Sequence, residues 1–287
     1  MTILPLAEMA LAVLMQPDPH EKARMTRDFA AQWFEATDDV VKTGSVALPD
    51  RPARPKKPEL CHVSKMPKRA KAGSVRNKIA LLHALAHIEL NAIDLAWDVM
   101  ARFTDMAWDF EGTREEPSLV LPRAFYDDWM KVANDEAKHF LMLSSRLVEL
   151  GASYGDLPAH DGLWDSSLKT AHDFAARLAI VPMVLEARGL DVTPHMIVSM
   201  KNNEDFVTAD MLQIIHDDEI THVRAGTVWF KQWCDVHGKD IETTWQELVR
   251  TYFNGVLKPP FNHPSRESAD MIRDWYEPLA MEVGDKA

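Results

Sequence analysis

The sequence predicts an all-α protein built around a four-helix bundle, on three observations. Apolar residues recur at spacings of three and four along most of the chain, while runs of strict alternation are nearly absent. The apolar faces extend over stretches long enough for helices of six or more turns. Two of those stretches carry the same short pattern, Asp135-Glu136-Ala137-Lys138-His139 and Asp218-Glu219-Ile220-Thr221-His222.

The elements follow in order. Asp18-Pro19 is a start signal for an N-terminal helix from about His20 to Ala36. Prolines at 49, 52, 55, 58 and 67 then forbid a regular helix between Asp38 and Gly73. Ser74 is a candidate N-cap for the first bundle helix, running to about Phe103 with Leu82, Leu85, Ala86, Ile93 and Ala96 on its inner stripe. The second bundle helix starts near Pro122 and ends before Gly151. The third is expected from Ser166 to Arg188, loosened or kinked at Pro182, and a short helical insert, Thr193 to Met200, leads to the fourth, Glu204 to His237. A helix over Glu242 to Phe253, a Lys258-Pro259-Pro260-Phe261 turn and a last helix over Ser265 to Tyr276 complete the chain. The resulting organisation is an N-terminal helix and basic Pro-rich strap (1–73), a bundle (74–240) and a helical extension (241–287), packed as one compact unit.

Formal net charge is −12, unevenly spread. Between Arg51 and Lys78, ten Lys/Arg face Glu59 alone, so this strap carries +9 and the remainder −21. An acidic body disfavours broad nucleic-acid binding, and the strap is expected to lie against the acidic surface of its own bundle. Only Cys61 and Cys234 are present, too few for a disulfide framework. The early apolar run, Met1 to Met15, carries Glu8 and lacks a basic leader and a cleavage site, and it is too short to span a bilayer. A cytoplasmic protein without a membrane partner is expected.

Residues three apart on a helix share a face, so each Glu-x-x-His can aim a carboxylate and an imidazole at one metal ion. A single such motif is a weak signal, since chance places the pair on exposed helices often. Two copies together with Glu89 and Glu186, both on apolar stripes, are a strong one. Bundles that hold two iron or manganese ions take one Glu from each of two helices and a Glu-x-x-His from each of the other two. The order Glu89, Glu136 with His139, Glu186, Glu219 with His222 supplies that set. Four inward carboxylates would repel one another, and two divalent cations would cancel the charge. Oxygen and imidazole donors favour iron, with manganese possible. Asp135 and Asp218 sit one position before a ligand Glu, rotated about 100° from it, and are expected to support the metal-bound imidazoles crosswise, Asp218 holding His139 and Asp135 holding His222. His83, His87 and His216 read as packing or supporting histidines, and Arg177, Arg188 and Arg224 as charges at the bundle ends.

The ligand pattern resembles that of the ferritin-like superfamily. More closely, His83-Ala84-Leu85-Ala86-His87-Ile88-Glu89-Leu90, Leu185-Glu186-Ala187-Arg188-Gly189-Leu190-Asp191 and His216-Asp217-Asp218-Glu219-Ile220-Thr221-His222 resemble the bacterial domain-of-unknown-function family 455, over nearly the whole chain. A more distant similarity is to the ferritin-like tRNA isopentenyladenosine hydroxylases. The resemblance implies O₂ activation by a reduced metal pair, with Glu89 and Glu186 as terminal or shifting carboxylates, Glu136 and Glu219 as bridges, and His139 and His222 each capping one ion. The acidic body departs from a tRNA enzyme.

Three functions compete. The first is a non-haem oxygenase or oxidase acting on a small organic or nucleoside substrate with O₂ or peroxide and an electron donor. The second is metal handling without an organic substrate, by ferroxidase or peroxide-consuming chemistry. The third is a non-catalytic, metal-stabilised scaffold. The strap and the helices after Glu242 offer material to shape a pocket, which places the first ahead.

Overall fold

The computed structural model of the chain describes residues 4–36, 42–62, 65–66, 74–104 and 121–281. Regular structure among them is helical, apart from one isolated parallel bridge between Leu60 and Ala159. The chain divides into two compact units: residues up to 104, 121–165 and 199–211 belong to the first, and 166–198 with 212–281 to the second.

In the first unit, α1 (Leu6–Leu14) packs on α2 (Pro19–Glu35) and α3 (Val75–Arg102), and α2 and α3 both pack on α4 (Arg123–Glu149). The Asp18 carboxylate accepts the Glu21 N–H at 2.8 Å ahead of Pro19, and Ser74 Oγ accepts the Asn77 N–H at 3.3 Å, so both starts lie where the sequence puts them. The α1 helix was not expected, and it exists by burial: Leu6, Met9, Ala10, Val13 and Leu14 are fully buried. Helix α3 is buried on every side from Glu89 to Ala101. By length and composition it is the one described helix apolar enough to cross a membrane, and 67% of its most apolar window is buried inside the protein.

The strap lies on acidic partners in its described part. Arg51 pairs with Asp161 and Asp165, each at 2.5 Å, and Arg54 reaches Asp94 and, at 2.6 Å, the Asn91 side chain. Asp94 also takes Lys22 Nζ at 2.5 Å, with Lys22 1% and Asp94 0% exposed. Burial lowers the Lys22 pKa against the pull of Asp94.

In the second unit the expected third bundle helix is not one piece. It is preceded by α5 (Gly162–Lys169), and after a break α6 (Phe174–Ile180) begins at Asp173, whose carboxylate accepts the Ala176 N–H at 2.9 Å. The break is held by Arg177, which is 1% exposed and donates to Thr170 Oγ at 3.0 Å and to the Ser167 carbonyl at 2.8 Å. Arg177 is therefore an internal brace rather than a surface charge. From Val181 to Glu186 the chain is π-helical, and the Ala187 N–H reaches the Pro182 carbonyl five residues back. The irregularity expected at Pro182 thus takes the form of a π turn ending on Glu186.

Helix α7 (Ala187–Asn202) continues directly, so the expected short insert is part of it. Pro194 does not stop α7: the Leu190 carbonyl that Pro194 leaves without a helical donor accepts from Asn262 Nδ2 at 3.1 Å. Helices α8 (Phe206–Val236) and α9 (Ile241–Tyr252) match expectation within two residues. The last helix is two, α10 (His263–Ser268) and α11 (Arg273–Met281), separated near Asp270, whose φ is 61°. Arg224 holds the Asp270 carboxylate at 3.3 Å and Lys231 its carbonyl at 3.0 Å.

Candidate metal centre

Helix α3 presents Glu89, and α4 presents Glu136 and His139 one turn apart; they are 3%, 0% and 0% exposed. His139 Nδ1 lies 3.2 Å from Glu89 Oε2 and 3.7 Å from Glu136 Oε2. Burial, and then the Glu136 carboxylate beside it, hold the Glu89 carboxyl well above the usual range. Two buried carboxylates at one imidazole are stable only with neutralisation, by protons or by a cation. Asp135, expected to support a metal-bound histidine, is buried on the same helix and pairs with Lys131 at 2.8 Å and Lys138 at 3.0 Å.

In the second unit, α8 carries the other pair, with Glu219 9% and His222 0% exposed and His222 Nδ1 3.6 Å from Glu219 Oε1. Glu186 closes the π turn and is half-buried, as is Asp218. Both Glu-x-x-His copies therefore place carboxylate and imidazole together on a buried helix face, as three-residue spacing requires. Within the first unit, Glu89, Glu136 and His139 are donors that could hold a metal ion.

The donors suit a divalent cation. They are carboxylate oxygens and an imidazole nitrogen, with no sulfur among them.

His83, His87 and His216 are held by neighbours. His83 Nε2 accepts the Gly155 N–H at 2.9 Å. His87 Nε2 contacts the His160 carbonyl at 3.2 Å, which requires the proton on that nitrogen, so its Nδ1 accepts from the Tyr154 hydroxyl at 2.8 Å. Burial, and then Arg54, lower the His87 pKa to about 3. His216 Nε2 lies 3.3 Å from Ser265 Oγ.

Two long-range contacts are not visible in the sequence. Arg188 does not balance charge at a bundle end: it donates to the Lys258 carbonyl at 2.6 Å and clasps the Pro-rich turn. Arg266 is 2% exposed and grips Asp191 through two nitrogens at 2.9 and 2.7 Å. Asp191 lies in the quoted Leu185–Asp191 stretch, but nothing in the spacing points to a partner 75 residues away.

A family model described as "Protein of unknown function (DUF455)" matches residues 15–277. An uncharacterized protein of Haemophilus influenzae is 36% identical over 273 residues, covering 91% of this chain and 90% of its own length. No solved structure is significantly similar.

Proposed function

The chain belongs to the DUF455 family, and we propose that it is a ferritin-like dinuclear metal protein that activates O₂ to oxidise a small organic or nucleoside substrate. The observation that carries this reading is the repeated pairing of a buried carboxylate and imidazole one helical turn apart, at 3.7 Å on α4 and 3.6 Å on α8, with Glu89 at the first pair. A buried carboxylate pair without a cation is expensive, so helices that carry such pairs are built for one.

Two iron ions, or manganese, would supply the redox chemistry. The chain's own residues set its terms. Glu89, Glu136 and His139 would hold one ion and Glu186, Glu219 and His222 the other, the glutamates as anionic ligands and the histidines as neutral ones. An electron donor completes the cycle. The acidic body disfavours tRNA as the substrate, and the strap's Arg51 and Arg54 are engaged with Asp94, Asp161 and Asp165.

The test is single-turnover O₂ uptake by the ferrous protein in isotopically labelled O₂, with a pool of small metabolites and nucleosides. Label appearing in an organic product supports the proposal. Rapid uptake that yields only ferric ion assigns metal handling instead.

A further inference from the structure

Gly226 lies within α8, one turn beyond His222, and is buried. A methyl group placed on it would sit 2.3 Å from Pro182 Cγ and 2.5 Å from Pro182 Cβ. The proline ring cannot swing aside, because it is closed onto its own backbone nitrogen. Only glycine at 226 therefore admits Pro182 at this distance. Pro182 in turn stands four residues before Glu186, inside the π turn that ends on that residue.

A second clasp lies on the other side of the same ligands. Arg266 holds Asp191 with two hydrogen bonds, donates to the Ala187 carbonyl at 3.3 Å, and is packed against the Tyr276 and Phe261 rings at 4.5 and 5.1 Å. Its neighbour Ser265 meets His216 at 3.3 Å. Going forward from Pro182 to Asp191 thus corresponds to going backward from Gly226 to His216, so the two segments run antiparallel. Glu186 falls between the clasps on one strand of chain, and Glu219 and His222 fall between them on the other.

We propose that the Gly226–Pro182 approach is a positioning device: it fixes the π turn against α8 so that Glu186 meets Glu219 and His222 as ligands of one metal ion. The proposal rests on the dinuclear reading above. It gives the irregular turn a purpose, since a π turn swings the residues after it relative to a continuous α-helix and so re-aims Glu186. Gly226 and Pro182 act through Glu186 and touch no metal themselves.

The experiment is Co(II) binding, read by stoichiometry and by the visible absorption of the bound ion, for the wild type, Gly226→Ala and the double variant Pro182→Ala/Gly226→Ala. The wild type is expected to bind two Co(II) per chain. Gly226→Ala should keep its helicity and the ion held by Glu89, Glu136 and His139, and lose the other, with affinity at that half down at least tenfold. The double variant, which removes the ring that the new methyl strikes, should recover two ions. The proposal is overturned if folded Gly226→Ala binds two ions with unchanged affinity, if it loses both together, or if the double variant stays at one. Should Gly226→Ala fail to fold, Pro182→Ala decides alone: it takes away the ring and leaves the approach unfilled, so loss of the Glu186 ion supports the proposal and two ions at unchanged affinity overturn it. A wild type that binds no Co(II) removes the dinuclear reading itself.

Discussion

His139 Nδ1 lies 3.2 Å from Glu89 Oε2, joining α3 to α4 across 50 residues of chain. A buried carboxylate already crowded by Glu136 would not be placed there for stability alone. Glu89→Gln is nearly isosteric and removes one buried like charge. The metal-free variant should be more stable than the wild type by about 1 kcal/mol or more, while its metal capacity falls from two ions to one. Paired chemical melts and metal titrations check this, and a less stable variant with unchanged metal content would refute it.

Asp94 is fully buried between Lys22 and Arg54, tying the strap to α2 and α3. Asp94→Ala leaves both cations without their carboxylate in a dry site, which costs about 3–5 kcal/mol. Urea melts should show that loss, and limited proteolysis should find new cleavage between Pro49 and Cys61.

Asp205 accepts from Lys78 at 2.8 Å, from Arg146 at 2.9 Å and from the Thr208 N–H at 3.1 Å. Burial pushes its carboxyl up, but Lys78, Thr208 and Arg146 together hold it down at about 2. A carboxylate depressed in the fold stabilises above its unfolded value and loses that contribution as pH falls through its folded one. Asp205→Asn should therefore lower the melting temperature at pH 7, with the difference from wild type shrinking below pH 4 and vanishing near pH 2. A difference that does not change with pH would contradict the assignment.

Asp218→Ala tests whether the aspartate beside Glu219 supports a metal-bound imidazole. Removing a carboxylate that orients a metal-bound imidazole typically weakens binding by about 10- to 100-fold. Metal affinity in that range, with helicity unchanged, is the expected outcome, and wild-type affinity would refute the support.

Local signals carried the sequence reading where a helix starts on its own chemistry. Asp18-Pro19 and Ser74 mark α2 and α3 because their caps are made by neighbours three residues away. The ligand pairs were legible for the same reason, since three-residue spacing alone brings Glu136 to His139 and Glu219 to His222. What was missed depends on distant partners. The α1 helix exists because α2 and α3 cover it. The gap before α6 is braced by a buried Arg177 that reads as an ordinary surface cation. The π turn shifts register by one residue, too little to break an apolar periodicity. Asp270 takes a left-handed φ of 61° and splits the last helix without a glycine to announce it. Asp135 pairs with Lys131 and Lys138 on its own helix, at spacings of four and three that are visible in the sequence.

The central claim is that this chain is built to hold two redox-active metal ions. Elemental analysis of the protein purified from its native host, expressed per chain, tests it most directly. The account predicts two transition-metal ions, with iron dominant or manganese in its place, falling to one when His139 or His222 is replaced by Ala. Native protein that carries no such metal, or two ions that survive both substitutions, would contradict it.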